Sequence, residues 1–189
     1  RTGHWFASDC FGLKPDMMTL AKGLTSGYVP MSAVMVGDRV ANKLIADGGE
    51  FYHGFTYSGH PVAAAVALAN LQIIEDEKLI QKVRDDTGPY LGQSLAPLAD
   101  HPLVGEVRSF GMLAAIELVK DKAGPILFDP VGDAGILCRD HAIAGGMMMR
   151  AVRDGMIMSP PLTFGRCDID KAVSIARMAL DKTAAELGI

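Results

Sequence analysis

Lys22 is the first residue of this 189-residue chain whose type and position suggest chemistry. It directly follows an apolar run of strand length, Met17–Ala21, and a glycine-containing turn comes after it. If that strand lies in a sheet covered on both faces, the amine of Lys22 has apolar neighbours. Desolvation favours the uncharged amine, which is the nucleophilic form. The alternative is a lysine that extends from the strand end into solvent.

Thr56 and Arg166 are two further candidates. Thr56 lies just before an alanine-rich run that begins at Pro61, and proline suits the first turn of a helix. A hydroxyl and backbone N–H groups near a helix start can bind a phosphate, although the same residues also fit a tight loop. Arg166 is predicted to lie in a loop before the last helix. There it can bind a carboxylate through two hydrogen bonds, or pair with Asp168 or Asp170 at the surface.

The elements that must position these residues are a mixture of strands and helices. The predicted strands cover 17–21, 31–36, 104–107, 112–119, 147–152 and 156–159, and the predicted helices cover 38–45, 61–74, 131–144 and a last one that begins at Asp168. Leu91, Leu95 and Leu98 predict the buried face of a further helix, because they recur at helical spacing. Gly88-Pro89 is expected to kink or split that helix.

This order of elements indicates an α/β fold. Near residue 100 the predicted elements change from helices to strands. We interpret residues 1–58 as the end of a larger α/β sheet domain, 59–99 as connecting helices, and 100–189 as a smaller α+β domain. The chain opens on Arg1 and strand-like character follows early. We therefore expect it to be the later part of a longer protein.

Composition and spacing argue against several classes of function. The formal net charge is -4 and the basic residues are scattered, which favours neither nucleic acid nor an anionic membrane as a partner. No apolar run is long enough to cross a bilayer. The three cysteines are far apart, which favours reduced thiols in the cytoplasm. The histidine spacing predicts no metal site, and neither a dinucleotide-binding glycine motif nor a nucleophile elbow occurs.

Several short motifs follow one another in the order and spacing of a known enzyme family. They are 1–3 (Arg-Thr-Gly), 14–16 (Lys-Pro-Asp), 21–27 (Ala-Lys-Gly-Leu-Thr-Ser-Gly), 30–33 (Pro-Met-Ser-Ala), 53–61 (His-Gly-Phe-Thr-Tyr-Ser-Gly-His-Pro), 107–111 (Val-Arg-Ser-Phe-Gly) and 159–162 (Ser-Pro-Pro-Leu). With these motifs the chain resembles the class III pyridoxal-phosphate aminotransferases. Among the subfamilies it is most similar to the ω-aminotransferases that use pyruvate as amino acceptor.

The resemblance implies the pyridoxal-phosphate-dependent transferase fold of type I and a role for each candidate residue. Lys22 matches the lysine that binds pyridoxal 5'-phosphate as a Schiff base and moves the proton. Thr56 matches the threonine that reaches the cofactor phosphate of the neighbouring subunit, so a homodimer is implied, and Phe55 matches a residue beside it. Arg166 matches a mobile arginine that pairs with the substrate carboxylate and swings away when the substrate has none.

The function implied is transfer of an amino group from a primary amine or ω-amino acid to a keto acid such as pyruvate. In the family, the acidic partner of the pyridine nitrogen, the phosphate-binding turn and the stacking aromatic precede the Arg-Thr-Gly motif, which here begins at Arg1. We therefore expect the chain alone to be inactive. The alternatives are a non-catalytic fragment or domain, and a mutase or decarboxylase on the same fold.

Overall fold

The computed structural model describes residues 1–48, 50–124 and 126–189. Contacts between residues divide the chain into two compact units. One is Phe6–Leu79, which we call the Lys22 unit, and the other is Arg1–Trp5 together with Ile80–Ile189, which we call the Arg166 unit. The predicted division into domains at 1–58, 59–99 and 100–189 stays a prediction.

The described residues of the Lys22 unit form a short strand pair and three helices. Its elements are α1 (Ala7–Cys10), β1 (Met17–Leu20), a 3-10 turn (Lys22–Leu24), β2 (Ala33–Val36), α2 (Asp38–Ala46) and α3 (Pro61–Asp76). The two strands are antiparallel, with Met17 opposite Val36 and Leu20 opposite Ala33. Both strands and helices α2 and α3 were predicted within two residues of these bounds, whereas α1 was not predicted.

Within the described residues, β1 does not lie in a sheet covered on both faces, so the condition under which the Lys22 amine would have apolar neighbours is not met by this chain alone. Among the described residues β1 pairs with β2 alone, and a two-stranded sheet cannot bury both of its faces. Met17 and Val34 accordingly keep 56% and 53% of their surface exposed. Apolar runs of strand length therefore identified both strands correctly.

The Arg166 unit builds a four-stranded antiparallel sheet against helices. After α4 (Leu79–Lys82) come a π-helical turn (Val83–Thr87), α5 (Gly88–Leu95), a 3-10 turn (Ala96–Asp100), β3 (Val104–Phe110), β4 (Leu113–Leu118), α6 (Asp133–Ala144), β5 (Arg150–Val152), β6 (Gly155–Met158) and α7 (Arg166–Leu187). The strand order is β3-β4-β6-β5. Residues of the helices α5, α6 and α7 join those of the sheet in one buried cluster.

The apolar face predicted for residues 91–98 is part of this core. Leu91, Leu95 and Leu98 are all buried, in the same cluster as Ile116 of β4 and Leu180 of α7. Removing such side chains from water is the main favourable contribution to folding, at about 25 cal/mol per Å² of apolar area. The predicted irregularity at Gly88-Pro89 is also found, as a π-helical turn that ends directly before Gly88.

Helix α6 is held at its start by a buried carboxylate from the turn between β5 and β6. Asp154 is 4% exposed, and its two carboxylate oxygens accept the backbone N–H groups of Gly132 and Gly135, each at 2.9 Å. These N–H groups have no partner within the helix, so the carboxylate satisfies them and also interacts favourably with the helix dipole. The turn therefore sets where α6 begins.

The last helix begins two residues earlier than predicted. Gly165, with extended backbone, is the N-cap of α7, and Arg166 is its first helical residue. The Asp168 carboxylate accepts the backbone N–H of Gly165 at 2.9 Å. Asp168 therefore caps the helix from within the first turn, as acidic residues there commonly do, and Arg166 does not lie in a loop.

Candidate active site

Lys22 is placed by an unusual backbone at the end of β1. Its φ of +50° is in the left-handed region, which costs a non-glycine residue about 1–2 kcal/mol. Such strain persists only where surrounding contacts impose it, and it is frequent at functional sites. The side chain itself is exposed. Within the described part of the chain it forms no hydrogen bond or ion pair, so its amine is available.

Asn70 of α3 supplies the contacts that hold this backbone. Its side-chain amide donates to the carbonyl oxygens of Gly23 at 2.8 Å and Leu24 at 3.1 Å, and its Oδ1 accepts the hydroxyl of Ser26 at 2.7 Å. A single side chain thus fixes both halves of the turn that follows Lys22. Sequence reasoning missed this role.

Thr25 adds a buried contact within the same turn. Its hydroxyl, on a residue only 2% exposed, donates to the carbonyl of Val29 at 2.6 Å.

The sequence did contain a signal for the role of Asn70. It is the one polar residue in the stretch 61–71 of α3, whose other residues are alanine, valine, leucine and proline. A lone amide in such a stretch needs a hydrogen-bonding partner.

Phe55 and Thr56 lie in a turn just before α3. The backbone N–H of Phe55 donates to the Ser58 hydroxyl, and the Ser58 N–H donates back to the Phe55 carbonyl, both at 2.9 Å. Thr56 sits between them with an exposed side chain. Phe55 also lines an open pocket of about 840 Å³, together with Met31, which follows the Lys22 turn. The Lys22 unit therefore contains three of the four candidate residues, with Phe55 and Thr56 adjacent.

Arg166, the fourth candidate, belongs to the other unit and has a carboxylate partner that the sequence did not indicate. Its Nε donates to Asp86 Oδ1 at 2.9 Å, and its Nη2 approaches the same oxygen at 2.9 Å. The guanidinium also lies over the ring of Tyr90, 4.8 Å from the ring centre, within the range of a cation–π contact. Neither Asp168 nor Asp170, the partners named for the alternative of a surface arginine, forms this pair.

Asp170 instead binds the phenol of Tyr90. The Tyr90 hydroxyl donates to Asp170 Oδ1 at 2.6 Å, and this hydrogen bond is the main reason why the pKa of Tyr90 is raised. Sequence reasoning missed Asp86 and Tyr90 because they lie about 80 residues before Arg166. Only the fold brings them together, and no local spacing marks them.

Two properties of the described residues bear on the kind of site. In residues 1–48, 50–124 and 126–189, no group of three or more histidine, cysteine or acidic side chains is arranged to hold a metal ion. Over the same residues, no helix combines the length and apolar character that crossing a bilayer requires.

Comparison with known proteins identifies the family. The sequence profile described as aminotransferase class-III matches residues 1–180. The chain belongs to the class III aminotransferases. This confirms the family expected from the motifs, and with it the enzyme class.

Individual class III aminotransferases are similar over almost the whole chain. The chain is 55% identical over 185 residues to the putrescine–pyruvate aminotransferase of Pseudomonas aeruginosa. The matched residues are 98% of this chain and 40% of that protein. It is 44% identical to the diaminobutyrate–2-oxoglutarate transaminase of Halomonas elongata, covering 96% of this chain and 40% of that one. The chain thus spans about two fifths of the length of these relatives.

Solved structures of transaminases share the fold. The omega transaminase of Pseudomonas jessenii in complex with PMP superposes with a TM-score of 0.91 at 40% identity, covering 100% of this chain and 42% of that chain. A transaminase with L-ala gives a TM-score of 0.92 at 41% identity, covering 99% and 45%. The predicted α/β fold of the pyridoxal-phosphate-dependent transferases of type I is therefore confirmed.

The residues present fit the cofactor that the class III family implies. Pyridoxal phosphate offers an aldehyde and a phosphate, and these require a primary amine and hydrogen-bond donors, respectively. The amine of Lys22 is exposed and without a partner among the described residues. The hydroxyl of Thr56 is exposed just before the start of α3. Both kinds of group are therefore available in the Lys22 unit.

Proposed function

We propose that this chain contributes Lys22, Phe55, Thr56 and Arg166 to a pyridoxal-phosphate-dependent transaminase. The enzyme moves an amino group from a primary amine or ω-amino acid to a keto acid such as pyruvate. The observation that carries the proposal is the 55% identity to a putrescine–pyruvate aminotransferase over 98% of the chain. The three cysteines lie far apart in the sequence, which supports a cytoplasmic location for it.

Lys22 is proposed to hold the cofactor covalently and to move the proton. When bound, pyridoxal phosphate supplies the electron sink for the reaction. Nζ of Lys22 accepts and returns the proton that must change carbon atoms as the amino group is transferred. The turn fixed by Asn70 and Thr25 supports this role, because a proton-transfer group must be held in a defined position.

Thr56 and Phe55 are proposed to act at the phosphate end of the cofactor. The Thr56 hydroxyl donates to a phosphate oxygen, and Phe55 lies beside it. In line with the family resemblance, the phosphate is that of a neighbouring subunit, so the enzyme is a homodimer with a shared active site. The exposure of both side chains supports contact with a group outside the chain.

Arg166 is proposed to bind the carboxylate of the keto acid or amino acid. A guanidinium and a carboxylate form two parallel charge-assisted hydrogen bonds, which fix orientation as well as charge. The capture of the Asp86 carboxylate by Arg166 in this structure supports the proposal, because the same atoms would bind a substrate carboxylate.

The test of Lys22 is borohydride reduction of the complete gene product with pyridoxal phosphate, followed by peptide mapping. We expect a pyridoxyl group on Lys22, and loss of this adduct in Lys22→Ala. Lys78→Ala is the matched control, because Lys78 is also an exposed lysine with left-handed backbone, at φ +52°. An adduct spread over surface lysines, unchanged in Lys22→Ala, would refute the assignment.

Activity provides the second readout of the same experiment. With a primary amine and pyruvate, the unmodified enzyme should form alanine, and Lys22→Ala should lose at least about 100-fold in rate, the lower end of what a positioned acid–base group contributes. If no alanine forms although Lys22 carries the cofactor, the reaction is not transamination, and a mutase or decarboxylase on the same fold takes its place.

A further inference from the structure

The Lys22 turn (residues 22–27) contains two non-glycine residues with left-handed backbone. Lys22 and Ser26 both have a φ of +50°, a conformation that residues with a side chain rarely adopt. Such a conformation persists only where neighbouring contacts impose it. The contacts made to this turn therefore determine the backbone from which the side chain of Lys22 extends.

The backbone hydrogen bonds at the start of the turn are weak. The N–H of Leu24 donates to the carbonyl of Ala21 at 3.3 Å, and the N–H of Thr25 donates to the carbonyl of Lys22 at 3.4 Å. Both distances exceed the usual length of such a bond, about 2.9–3.0 Å. The buried Thr25 hydroxyl does form a short hydrogen bond, but its acceptor is the carbonyl of Val29, which lies beyond the turn.

Three shorter contacts to the turn come from one side chain of α3. Asn70 donates to the carbonyls of Gly23 and Leu24 at 2.8 Å and 3.1 Å, and it accepts the hydroxyl of Ser26 at 2.7 Å. An amide side chain has two donor hydrogens and one acceptor oxygen, so each of its polar groups contacts the turn. Because Asn70 is half-buried on a helix of 16 residues, it gives the exposed turn a fixed point of attachment.

We propose that Asn70 is a positioning residue for Lys22, and that it sets how fast the amine of Lys22 attaches to pyridoxal phosphate. This inference rests on the proposed role of Lys22 as the residue that carries the cofactor. In the attachment, Nζ of the neutral amine forms a bond to the aldehyde carbon, and the aldehyde oxygen leaves with two hydrogens of the amine as water. The step is fast only when Nζ approaches that carbon in the right geometry.

The flexibility of a lysine side chain does not make its backbone irrelevant. The long stem lets Nζ reach many positions, but the backbone of Lys22 determines the point and direction from which the stem starts. Without Asn70 the turn is free to relax to backbone conformations that are not left-handed. Only the fraction of molecules with the original turn then attaches efficiently, and the observed rate falls by that fraction.

The decisive variant is Asn70→Leu in the complete gene product, which removes all three hydrogen bonds and keeps a side chain of similar size. Protein without cofactor is mixed with pyridoxal phosphate, borohydride reduces the bonds formed after set times, and peptide mapping measures the pyridoxyl group on Lys22. We expect attachment at Lys22 to be about tenfold slower than in the unmodified protein, because the contacts that favour the original turn are lost. Attachment to another exposed lysine, Lys78, should not change.

Gln72→Leu is the matched control. Gln72 is an exposed amide on the same helix, and its side chain donates to Asp76 of that helix at 2.8 Å. The substitution makes the same chemical change without removing a contact to the Lys22 turn, so attachment at Lys22 should keep its normal rate. Equal rates in Asn70→Leu and the unmodified protein, or equal slowing by both leucine variants, would overturn the proposal.

Two further variants test the contacts separately and do not depend on the folding of Asn70→Leu. Asn70→Asp keeps the oxygen that accepts from Ser26 but places a carboxylate against the carbonyl oxygens of Gly23 and Leu24, so attachment should be slow. Ser26→Ala removes one of the three hydrogen bonds at an exposed residue, so the slowing should be smaller, about two- to threefold. Normal attachment at Lys22 in both variants would contradict the role of Asn70.

Activity in a Lys22→Ala background separates positioning from a general effect on the fold. In that background free methylamine can serve as the proton-transfer base in place of Lys22. If Asn70 acts through Lys22, then Asn70→Leu slows transamination when Lys22 is present and leaves the methylamine-dependent rate of Lys22→Ala unchanged. A similar loss in both backgrounds would show that Asn70 supports the fold and does not position Lys22.

The unmodified protein distinguishes failure of this inference from failure of the proposed function. If it forms no pyridoxyl adduct on Lys22, the proposed role of Lys22 is wrong, and the inference fails with it. If the adduct forms on Lys22 at the same rate with and without Asn70, the role of Lys22 stands and only the positioning by Asn70 is wrong.

Discussion

His101 shows how partners from different elements determine the state of a single titratable residue. Its imidazole is 3% exposed. Nδ1 accepts the backbone N–H of Leu103 at 3.2 Å, which leaves the proton of the neutral ring on Nε2, facing Asp181 of α7 at 3.3 Å. A second proton would have to go on Nδ1, and it would displace the buried N–H of Leu103. The contacts therefore favour the neutral ring.

We expect His101 to make the stability of the Arg166 unit fall on acidification. The pKa of His101 is lowered mainly by its burial. The charges of Arg177 and Lys122 lower the pKa further, whereas Asp181 raises it. The unfolded chain therefore takes up a proton at a higher pH than the folded one. The stabilisation that the folded unit gains from neutral His101 is complete above about pH 6.5. It is lost as the pH falls through the lower pKa of the folded state.

The measurement is urea unfolding of the chain between pH 8 and pH 5, compared with His101→Asn. Asparagine can still accept the Leu103 N–H but does not titrate, so the variant should lose less stability than the original protein over this range. Identical pH profiles would show that His101 does not contribute. The other histidines are common to both proteins, so their titration is present in both profiles.

At the scale of elements, the junction between α4 and α5 depends on one glycine. A Cβ on Gly88 would lie 2.9 Å from Cα of Gly111 and closer still to the carbonyl oxygen of Val83. Both are backbone atoms, which cannot move aside as a side chain can. The π-helical turn is therefore compatible only with a residue that has no side chain at this position.

We expect Gly88→Ala to destabilise the Arg166 unit by about 1–3 kcal/mol, as for an overpacked core position. Gly92→Ala in the same helix is the control, because its Cβ would meet mainly the hydroxyl of Ser109, at 2.7 Å, which can rotate away. There the better helix propensity of alanine, up to about 1 kcal/mol, offsets the contact. Chemical unfolding of both variants measures the difference, and equal midpoints would contradict the packing argument.

The same junction illustrates what the sequence could and could not predict. The spacing of Leu91, Leu95 and Leu98 gives the buried face of the helix, since periodicity depends only on local geometry. That Gly88-Pro89 interrupts the helix is likewise local. The π-helical form of the interruption and the close approach of Gly111 to Gly88 are features of the fold that no local pattern records.

For the candidate site, too, some residues could be predicted from the sequence and others could not. Lys22, Phe55 and Thr56 were proposed because they stand in motifs of the family, and Arg166 because it follows one. The side chains of Asn70, Asp86 and Tyr90 have partners distant in sequence. The start of α7 was predicted at Asp168 because aspartate is a residue type that commonly caps helices. In the structure it binds the N–H of Gly165 from inside the helix, and the two arrangements have the same sequence signature.

At the scale of the whole molecule, buried apolar side chains are distributed very unequally between the two units. Among the described residues of the Lys22 unit, the buried apolar side chains are those of Ala67 and Leu79, whereas the Arg166 unit holds a continuous core. Large side chains of the Lys22 unit such as Tyr28 and Phe55 are more than 80% exposed. Because apolar burial is the main favourable term in folding, the two units should differ in stability.

We expect this difference to appear in amide hydrogen exchange of the 189-residue chain. Backbone amides in β4 and in the buried turns of α7 should exchange slowest, with opening free energies near that of global unfolding, whereas amides of β1 and β2 should exchange much faster because few buried contacts resist local opening. The comparison is internal, since β1 and β2, with four residues each, and β4, with six, are all hydrogen-bonded strands of the same chain. Equal protection of β1 and β4 would show that burial within the chain does not determine the stability of the Lys22 unit.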